Sequence, residues 1–353
     1  MITLPFLLLA CVGIVQAAVD APKSLNTDLQ ETCEAFRVEN RIVGMAVTVI
    51  RKREVLFDAQ FGLADREAQR AVDSASLFRL ASISKPVTAT MVMQLVDAGK
   101  LALDADVRAL LAKEPSEIPR IELRQVLAHT SGIRHYLAGR EDNGTSSRTT
   151  KQVIDGLAQD ALLFAPGTKY SYSTHAFSFA VAAIEKASER SFVEQVRKQI
   201  AANGCPTLDC EVASEKKPAR TALYGVRGPL VLTLEPREDL SWKYGGGGME
   251  STALDLARFA DRVLHAELVS AQSRDAMWTR QQLADGSFTE YGLGWGVGRN
   301  GTSASHTGQQ QGANCGLLIV RNGELIIAVL ANTDGANADN LVGVLRKKIE
   351  SKR

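Results

Sequence analysis

The 353-residue chain lacks any strong imbalance of charge. Its 41 lysine and arginine residues are balanced by 40 aspartate and glutamate residues, and the formal net charge is +1 without a basic run. Nucleic acids and anionic membrane surfaces require clustered positive charge, so we expect neither as a partner. Internal repeats and low-complexity segments are also absent. The remaining composition, 45% hydrophobic, is that of a globular enzyme with two domains or one large domain carrying an inserted lobe.

Two common catalytic patterns are missing as well. The five cysteines and five histidines show no zinc-ligand spacing, so we expect no metal ion and no other cofactor. The Gly-x-Ser-x-Gly nucleophile elbow does not occur, which excludes the α/β-hydrolase class of serine hydrolases. The expected partner is therefore a small-molecule or peptide substrate, and the oligomeric state stays open.

The N-terminal residues 1–17 contain no charged side chain and are mostly apolar. They predict a signal peptide, because the apolar run is short for a membrane span and Val15-Gln16-Ala17 offers small or apolar residues to a signal peptidase. Two alternatives are a lipoprotein signal at Leu8-Leu9-Ala10-Cys11, with Cys11 lipidated, and a buried N-terminal helix. We expect an exported protein, periplasmic or secreted, without a membrane span.

Four cysteines remain after such a cleavage: Cys33, Cys205, Cys210 and Cys315. An even number in an exported chain is compatible with disulfides. Cys205 and Cys210 flank a turn-like segment and could close a small loop. A bridge between Cys33 and Cys315 is a second option, and the sequence does not determine the pairing.

The most informative motif is Ser82-Ile83-Ser84-Lys85, in which a lysine follows a serine by three residues. Residues three apart share a helix face, so the Lys85 amine can lie beside the Ser82 hydroxyl and accept its proton. An isolated match of this kind is common and often only caps a helix. Ser84 is the competing hydroxyl, which we interpret as a cap or a supporting group because it lies next to Lys85 on the chain.

The context of this motif favours catalysis. Pro86 is tolerated only in the first turn of a helix, so the helix must begin near Ser82. The following residues are apolar at helical spacing and predict a buried helix. Ser82 would therefore lie at a helix N-terminus, where unpaired backbone N–H groups can stabilise an oxyanion.

Two later segments could supply partners for Ser82. Tyr172 follows a Pro-Gly turn and precedes a predicted helix, and it could act as a base if a neighbouring cation lowered its pKa. A half-buried packing tyrosine is the alternative. His306-Thr307-Gly308 ends a predicted strand, where Gly308 would let a bound acyl group approach the backbone. The N–H of Gln309 could then complete an oxyanion hole with that of Ser82.

The periodicity of the remaining chain predicts an α/β fold of the α+β type. Apolar segments at helical or alternating spacing divide the chain into helices and strands. The predicted helices are 25–38, 104–111, 151–163, 175–187, 192–202, 253–265 and 337–349. The predicted strands are 44–50, 54–61, 223–234, 292–298, 303–307, 315–320 and 325–330. We expect one antiparallel sheet built from both chain ends and flanked by helices, with a mainly helical lobe inserted in the middle.

In terms of domains, this arrangement predicts one catalytic domain over residues 18–353. Its α/β lobe would comprise about 18–80 and 285–353, and its helical lobe about 81–284. A cleft would form at the boundary between the lobes. The polar segments 139–150 and 204–248 are the loops most suited to determine substrate selectivity.

The motifs Ser82-x-x-Lys85, Tyr172-Ser173-Thr174 and His306-Thr307-Gly308 together resemble those of the serine β-lactamase and penicillin-binding-protein superfamily. The resemblance extends over about residues 25–350. It is greatest to the class C-like branch, which includes esterases, D-aminopeptidases and the mitochondrial serine β-lactamase-like protein. Supporting blocks lie at 129–136, 247–252 and 291–296.

Two residues depart from the pattern of the lactam-hydrolysing members. Thr174 stands where the second motif usually ends in asparagine, and His306 stands where the third motif usually begins with lysine. Histidine is only partly protonated near neutral pH, so it would hold a penicillin carboxylate less firmly than lysine does. The resemblance therefore implies peptidase or esterase activity more than β-lactamase activity.

The resemblance implies an acyl-enzyme on Ser82, with Lys85 activating the nucleophile and Tyr172 sharing the base role and protonating the leaving group. His306 and Thr174 would orient the substrate. Whether Lys85 or Tyr172 is the acylation base stays open. A true β-lactamase or D-Ala-D-Ala carboxypeptidase is the alternative reaction, and a penicillin-binding sensor that does not turn over is the alternative of another class. If the His306 imidazolium binds a substrate carboxylate, affinity should fall as pH rises through the histidine pKa.

Overall fold

A computed structural model describes residues 24–111, 118–136 and 146–352 of the chain. The predicted signal peptide, Cys11 and most of the segment 139–150 lie outside these residues and stay predictions. Within the described residues, no helix is both long and apolar enough to span a membrane.

The described residues contain ten α-helices. They are α1 Leu25–Glu39, α2 Ser84–Asp97, α3 Leu123–Leu127, α4 Thr150–Leu157, α5 Ala176–Ser188, α6 Phe192–Gln199, α7 Tyr244–Gly247, α8 Ala253–Leu264, α9 Ala271–Met277 and α10 Asn340–Ser351. Five short 3₁₀ helices occur at Ala81–Ile83, Val107–Leu110, Ala201–Asn203, Ser241–Lys243 and Arg321–Gly323.

The same residues contain thirteen strands in three sheets. They are β1 Gly44–Arg51, β2 Glu54–Asp65, β3 Arg70–Ala71, β4 Phe78–Arg79, β5 Asp209–Cys210, β6 Tyr224–Arg227, β7 Leu230–Thr233, β8 Met249–Ser251, β9 Gly296–Val297, β10 Ser303–Gln310, β11 Ala313–Val320, β12 Leu325–Ala331 and β13 Thr333–Asp334.

The central sheet has seven antiparallel strands in the order β3-β2-β1-β12-β11-β10-β9. Strand β1, from the N-terminal part of the chain, pairs with β12 from the C-terminal part, with Val47 opposite Val329. The predicted antiparallel sheet built from both chain ends is therefore confirmed. Most of the helices come from the chain between β3 and β9.

Side chains of the central strands alternate between two cores. In β12, Ile327 and Val329 point to a core shared with α1 and α10, whereas Ile326 and Ala328 point to the larger core shared with α2, α5 and α8. A strand covered on both faces needs apolar residues at every position, and all seven residues of β12 are buried. This double burial explains why β12 is a continuous apolar run in the sequence.

Several predicted elements differ in extent from the observed ones. Helix α4 ends at Leu157 instead of 163, because the N–H of Leu163 donates to the Gly132 carbonyl and draws this segment away from the helix axis. The predicted strand 223–234 is a hairpin, β6 and β7, that turns at Gly228 with φ of 60°. Of the predicted strand 292–298 only β9 is formed, and helix α9 was not predicted at all.

Neither of the two disulfides that the sequence left open is formed. All four cysteines of the described residues, Cys33, Cys205, Cys210 and Cys315, are free and buried. Burial raises the pKa of each thiol, so all four are neutral at physiological pH. The Cys315 thiol donates to the Arg79 carbonyl at 3.2 Å, which gives it a structural role in the core.

A buried ion pair lies just before the Ser82 segment. Arg79 of β4 binds Glu211 through two hydrogen bonds of 2.8 and 2.7 Å, and both side chains are almost completely buried. Burial by itself raises the pKa of the Glu211 carboxyl, but Arg79 and, to a smaller extent, Arg237 together outweigh it and lower that pKa to about 2. The pair fixes β4, and therefore the chain that leads into Ser82.

We expect Arg79→Met to lower the free energy of unfolding by about 3–5 kcal/mol, because it leaves a buried carboxylate without its main partner. Urea unfolding would measure the loss. Arg346→Met is the matched control: its partner Glu350 is half-exposed, so the expected loss is below about 1 kcal/mol. Equal losses in the two variants would contradict a special role for the buried pair.

Candidate active site

Ser82 lies in the 3₁₀ turn Ala81–Ile83 that leads directly into α2, as the position of Pro86 predicts. Ala81 adopts a left-handed conformation with φ of 47°, which a residue with a side chain adopts only when its surroundings enforce it. The Ser82 side chain is partly exposed at the end of this turn. The turn thus presents one hydroxyl to solvent from an otherwise buried segment.

Ser84, the competing hydroxyl, is completely buried. Its Oγ donates to the Ala81 carbonyl at 2.8 Å and accepts from the Met249 N–H at 3.1 Å. Both partners are backbone groups, so Ser84 fixes the turn and is not available as a nucleophile.

Gly308 allows strand β10 to lie against the Ser82 turn. A methyl group built on Gly308 would lie 2.4 Å from the Leu80 carbonyl oxygen and 3.2 Å from the Ser82 nitrogen. No other residue fits this position without moving the strand. Gly308 thus lets the strand approach the backbone of the Ser82 turn, and the predicted approach of a bound acyl group stays a prediction.

Lys85 is completely buried, and its Nζ contacts three polar atoms. The distances are 3.1 Å to Ser82 Oγ, 3.1 Å to Thr174 Oγ1 and 2.6 Å to the Gly246 carbonyl oxygen. Burial, with a smaller contribution from the charge of Lys243, lowers the pKa of Lys85 well below its ordinary value. The amine is therefore neutral over much more of the pH range than a surface lysine.

These three contacts match the valences of a neutral amine. The Gly246 carbonyl can only accept a hydrogen bond, so it takes one N–H, and Thr174 Oγ1 can accept the second. In the neutral amine the lone pair is left for the Ser82 hydroxyl, whereas in the ammonium form Nζ donates in all three contacts. Thr174 was expected to orient the substrate; in the structure its hydroxyl holds the Lys85 amine, and its side chain also lines the cavity described below.

Tyr172 lies beside this pair, with its ring centre 4.7 Å from Lys85 Nζ. Burial raises its pKa, and hydrogen bonding to Ser82 and Thr174 lowers it by less. The condition under which Tyr172 could act as a base, a pKa lowered by a neighbouring cation, is therefore not met. Because its pKa is raised above that of an ordinary tyrosine, the Tyr172 phenol stays protonated at neutral pH. It can act as a proton donor or relay, but not as an ionised base.

The His306 side chain is buried, and its ring donates one hydrogen bond and accepts another. Its Nδ1 lies 2.6 Å from the Thr307 carbonyl oxygen, which can only accept, so Nδ1 carries the proton. Nε2 then accepts from the Tyr291 hydroxyl at 2.8 Å. Burial is the main cause that lowers the pKa of His306 to about 3, and the protonated form of Lys85 acts in the same direction. The ring is therefore neutral throughout the physiological range, so the condition that a His306 imidazolium binds a substrate carboxylate is not met.

We therefore expect His306 to give no pH dependence to the binding of carboxylated ligands. Its folded-state pKa lies below the range from about pH 5 to about pH 7, so its charge does not change there. The inhibition constant of a carboxylated competitive inhibitor, measured across that range, would test this expectation. A weakening through about pH 6.5 that disappears in His306→Asn would contradict it.

The motifs line a common cavity of about 540 Å³. Five predicted residues besides the nucleophile line it together: Tyr172, Thr174, His306, Thr307 and Gln309. Lys85 lies beneath the cavity floor, hydrogen-bonded to Ser82, and Gly308 packs against the same turn. The structure thus brings together every site residue that the sequence indicated. The role of the Gln309 N–H in an oxyanion hole stays a prediction.

Sequence reasoning missed several contributors to this site, among them three that bear on its chemistry. The Gly246 carbonyl binds Lys85, and the side chains of Lys243 and Gln310 line the cavity. A signal for the first was present, since the run 245–248 is four consecutive glycines, a composition typical of close backbone approach. Lys243 and Gln310 carry no such signal. Among the described residues, no group of three or more His, Cys, Asp or Glu side chains could hold a metal ion.

The chain is similar in sequence to several known proteins. A family model described as Beta-lactamase matches residues 27–347. Esterase EstB of Burkholderia gladioli is 30% identical over 74% of this chain and 75% of its own length. The mitochondrial serine beta-lactamase-like protein LACTB of Bos taurus is 24% identical over 78% of this chain and 68% of its own length.

The fold is also similar to that of solved structures. The crystal structure of D-amino acid amidase from Ochrobactrum anthropi SV3, complexed with D-phenylalanine, superposes with a TM-score of 0.79 at 19% identity. The match covers 92% of this chain and 100% of the amidase. At this level of identity the similarity concerns the fold.

Proposed function

The chain belongs to the β-lactamase family of serine hydrolases, and on that premise we propose that it cleaves ester or amide carbonyls through an acyl-enzyme on Ser82. The observation that carries this proposal is the contact of 3.1 Å between Ser82 Oγ and the Nζ of a buried lysine with a lowered pKa. A neutral amine at this distance can accept the serine proton during attack.

In acylation, the Lys85 lone pair takes the proton of Ser82 as Oγ attacks the carbonyl carbon. Gly246 and Thr174 hold the amine in place during this transfer. Of the two candidate bases, the raised pKa of Tyr172 supports Lys85. The phenol of Tyr172 would relay the proton to the leaving group and later help water attack the acyl-enzyme.

The oxyanion of the tetrahedral intermediate needs backbone donors beside Ser82. The N–H of Ser82, in the turn before α2, and the N–H of Gln309 are the proposed pair. Gln309 lies on β10 directly after Gly308, which packs on the Ser82 turn, so the two residues flank the same point of the cavity.

Esters and amides are favoured over penicillins as substrates. The lactam-hydrolysing members carry a lysine in place of His306, and His306 is neutral here and bonded to Tyr291. It cannot supply the positive charge of that lysine. The similarity to an esterase at 30% identity supports the same choice.

A substrate panel combined with intact-protein mass measurement tests the proposal. Nitrocefin, p-nitrophenyl esters and aminoacyl p-nitroanilides would each be offered to the protein. We expect steady turnover of an ester or anilide and a transient mass increase equal to the acyl group. A burst of one equivalent without further turnover would identify a sensor instead, and the absence of any adduct or turnover would reject the mechanism.

A further inference from the structure

The cavity beside Ser82 contains a buried cation that the acylation mechanism does not use. Lys243 lines the cavity with only 7% of its surface exposed. Its Nζ lies 3.8 Å from Glu238 Oε2 and has no hydrogen-bond acceptor among the described residues. Around it lie the rings of Trp242 and Tyr136, at 4.8 and 5.9 Å. The ammonium borders the cavity with one carboxylate at 3.8 Å as its charged partner, so an anionic ligand in the cavity would stabilise it.

Gln310 provides a second unpaired donor in the same cavity. Its Nε2 is buried and has no hydrogen-bond partner in the described part of the chain. Buried side-chain amides are nearly always hydrogen-bonded, so an exception at a cavity wall indicates a missing acceptor. This observation is independent of the charge on Lys243.

Gly247 places the two side chains close to the nucleophile. A methyl group built on Gly247 would lie 3.6 Å from Gln310 Oε1, 3.7 Å from Lys243 Cδ and 3.8 Å from the carbonyl carbon of Ala81. Lys243 and Gln310 therefore converge on one glycine, next to the residue that precedes Ser82. A group held there lies within the span of a small substrate bound at Ser82.

We propose that Lys243 and Gln310 form a carboxylate-binding subsite, so that the preferred substrates are esters or amides carrying a carboxylate near the scissile carbonyl. This inference rests on the proposed function, because it places the subsite relative to Ser82. A carboxylate accepts hydrogen bonds from both an ammonium and an amide N–H. The Glu238 carboxylate beside Lys243 disfavours a dianion such as a phosphate monoester.

The charge of Lys243 depends on pH in a range that can be measured. Its pKa is lowered to about 8, mainly by burial; the carboxylates of Glu238 and Glu211 oppose this shift, and Arg79 adds to it. The positive charge of Lys243 in turn lowers the pKa of Lys85, which lies beneath the cavity floor. The ammonium is protonated below about pH 8, so selectivity for carboxylated substrates should fall as pH rises through that value.

Two p-nitrophenyl esters of equal chain length test the subsite: the monoester of glutaric acid, which carries a carboxylate, and the valerate, which does not. The measured quantity is the ratio of their kcat/KM values, which cancels any effect transmitted through Lys85 to both. We expect Lys243→Met to lower this ratio by at least about tenfold and Gln310→Leu by about threefold. Lys243→Arg should retain most of it, and Lys347→Met, on the exposed face of α10, should leave it unchanged.

An unchanged ratio in Lys243→Met, or equal losses for the two esters, would overturn the subsite. If Lys243→Met fails to fold, the unmodified protein still decides the matter: its ratio should fall through about pH 8, and a constant ratio would overturn the proposal. In Lys243→Arg the fall should disappear, since arginine stays charged. Activity that survives in Ser82→Ala would reject the proposed function itself, whereas an inactive Ser82→Ala with an unchanged Lys243→Met ratio would reject only the subsite.

Discussion

Ser82→Ala is expected to lower kcat for a p-nitrophenyl ester by at least about 10⁴-fold, the scale on which loss of a nucleophile acts in serine hydrolases. The methyl group of alanine cannot form the acyl-enzyme, and without the hydroxyl Lys85 has no nucleophile to deprotonate. Steady-state rates measure the loss. Intact-protein mass after mixing with substrate should show no adduct.

Ser84→Ala is the control for the neighbouring hydroxyl. Ser84 binds only the backbone of Ala81 and Met249, so its loss should reduce stability by about 1–3 kcal/mol while the acyl adduct still forms. The opposite pattern, with an active Ser82→Ala and no adduct in Ser84→Ala, would assign the nucleophile to Ser84.

Lys85→Met should have the second-largest effect, a fall in kcat/KM of about 10³-fold or more, because the variant keeps the nucleophile but removes its base. Methionine fills a similar volume, and it has no charge to lose on burial. We therefore expect an unchanged or higher melting temperature, which separates the loss of activity from a loss of folding. The measurement is kcat/KM together with a thermal melt.

Lys85→Arg distinguishes a base from a positive charge at this position. Arginine stays protonated in proteins, so it preserves charge but cannot accept the Ser82 proton. We expect it to be as inactive as Lys85→Met. Substantial activity in Lys85→Arg would show that charge suffices and would reassign the base. In the unmodified protein, activity should fall at low pH as the Lys85 amine becomes protonated.

Much of the fold follows from local patterns. Helix α1 and strands β1 and β2 lie within a few residues of their predicted bounds, since apolar periodicity and short polar turns act over a few residues. Helix α4 and the β6–β7 hairpin differ from their predicted bounds. Tertiary hydrogen bonds, such as that between Leu163 and Gly132, end or bend a segment that its apolar periodicity alone would continue.

The candidate site likewise has features that local sequence determines and features that depend on tertiary packing. The spacing of Ser82, Lys85 and Pro86 determines that a serine and a lysine share a face at a helix start, and this is a property of helix geometry. The order of the three motifs is likewise readable from the chain. Their convergence on one cavity depends on the packing of β10 against the Ser82 turn, which Gly308 allows.

The sequence by itself determined the family resemblance, the antiparallel sheet from both chain ends and the identity of the proposed nucleophile, because each follows from short-range spacing or from residue types in order. Only the tertiary structure decided the proton affinities: a lowered pKa at Lys85, a raised pKa at Tyr172, a neutral His306 and a buried cation at Lys243. The physical reason is that a pKa depends on desolvation and on partners such as Gly246 and Tyr291, which are distant in the chain and reach the site only through folding.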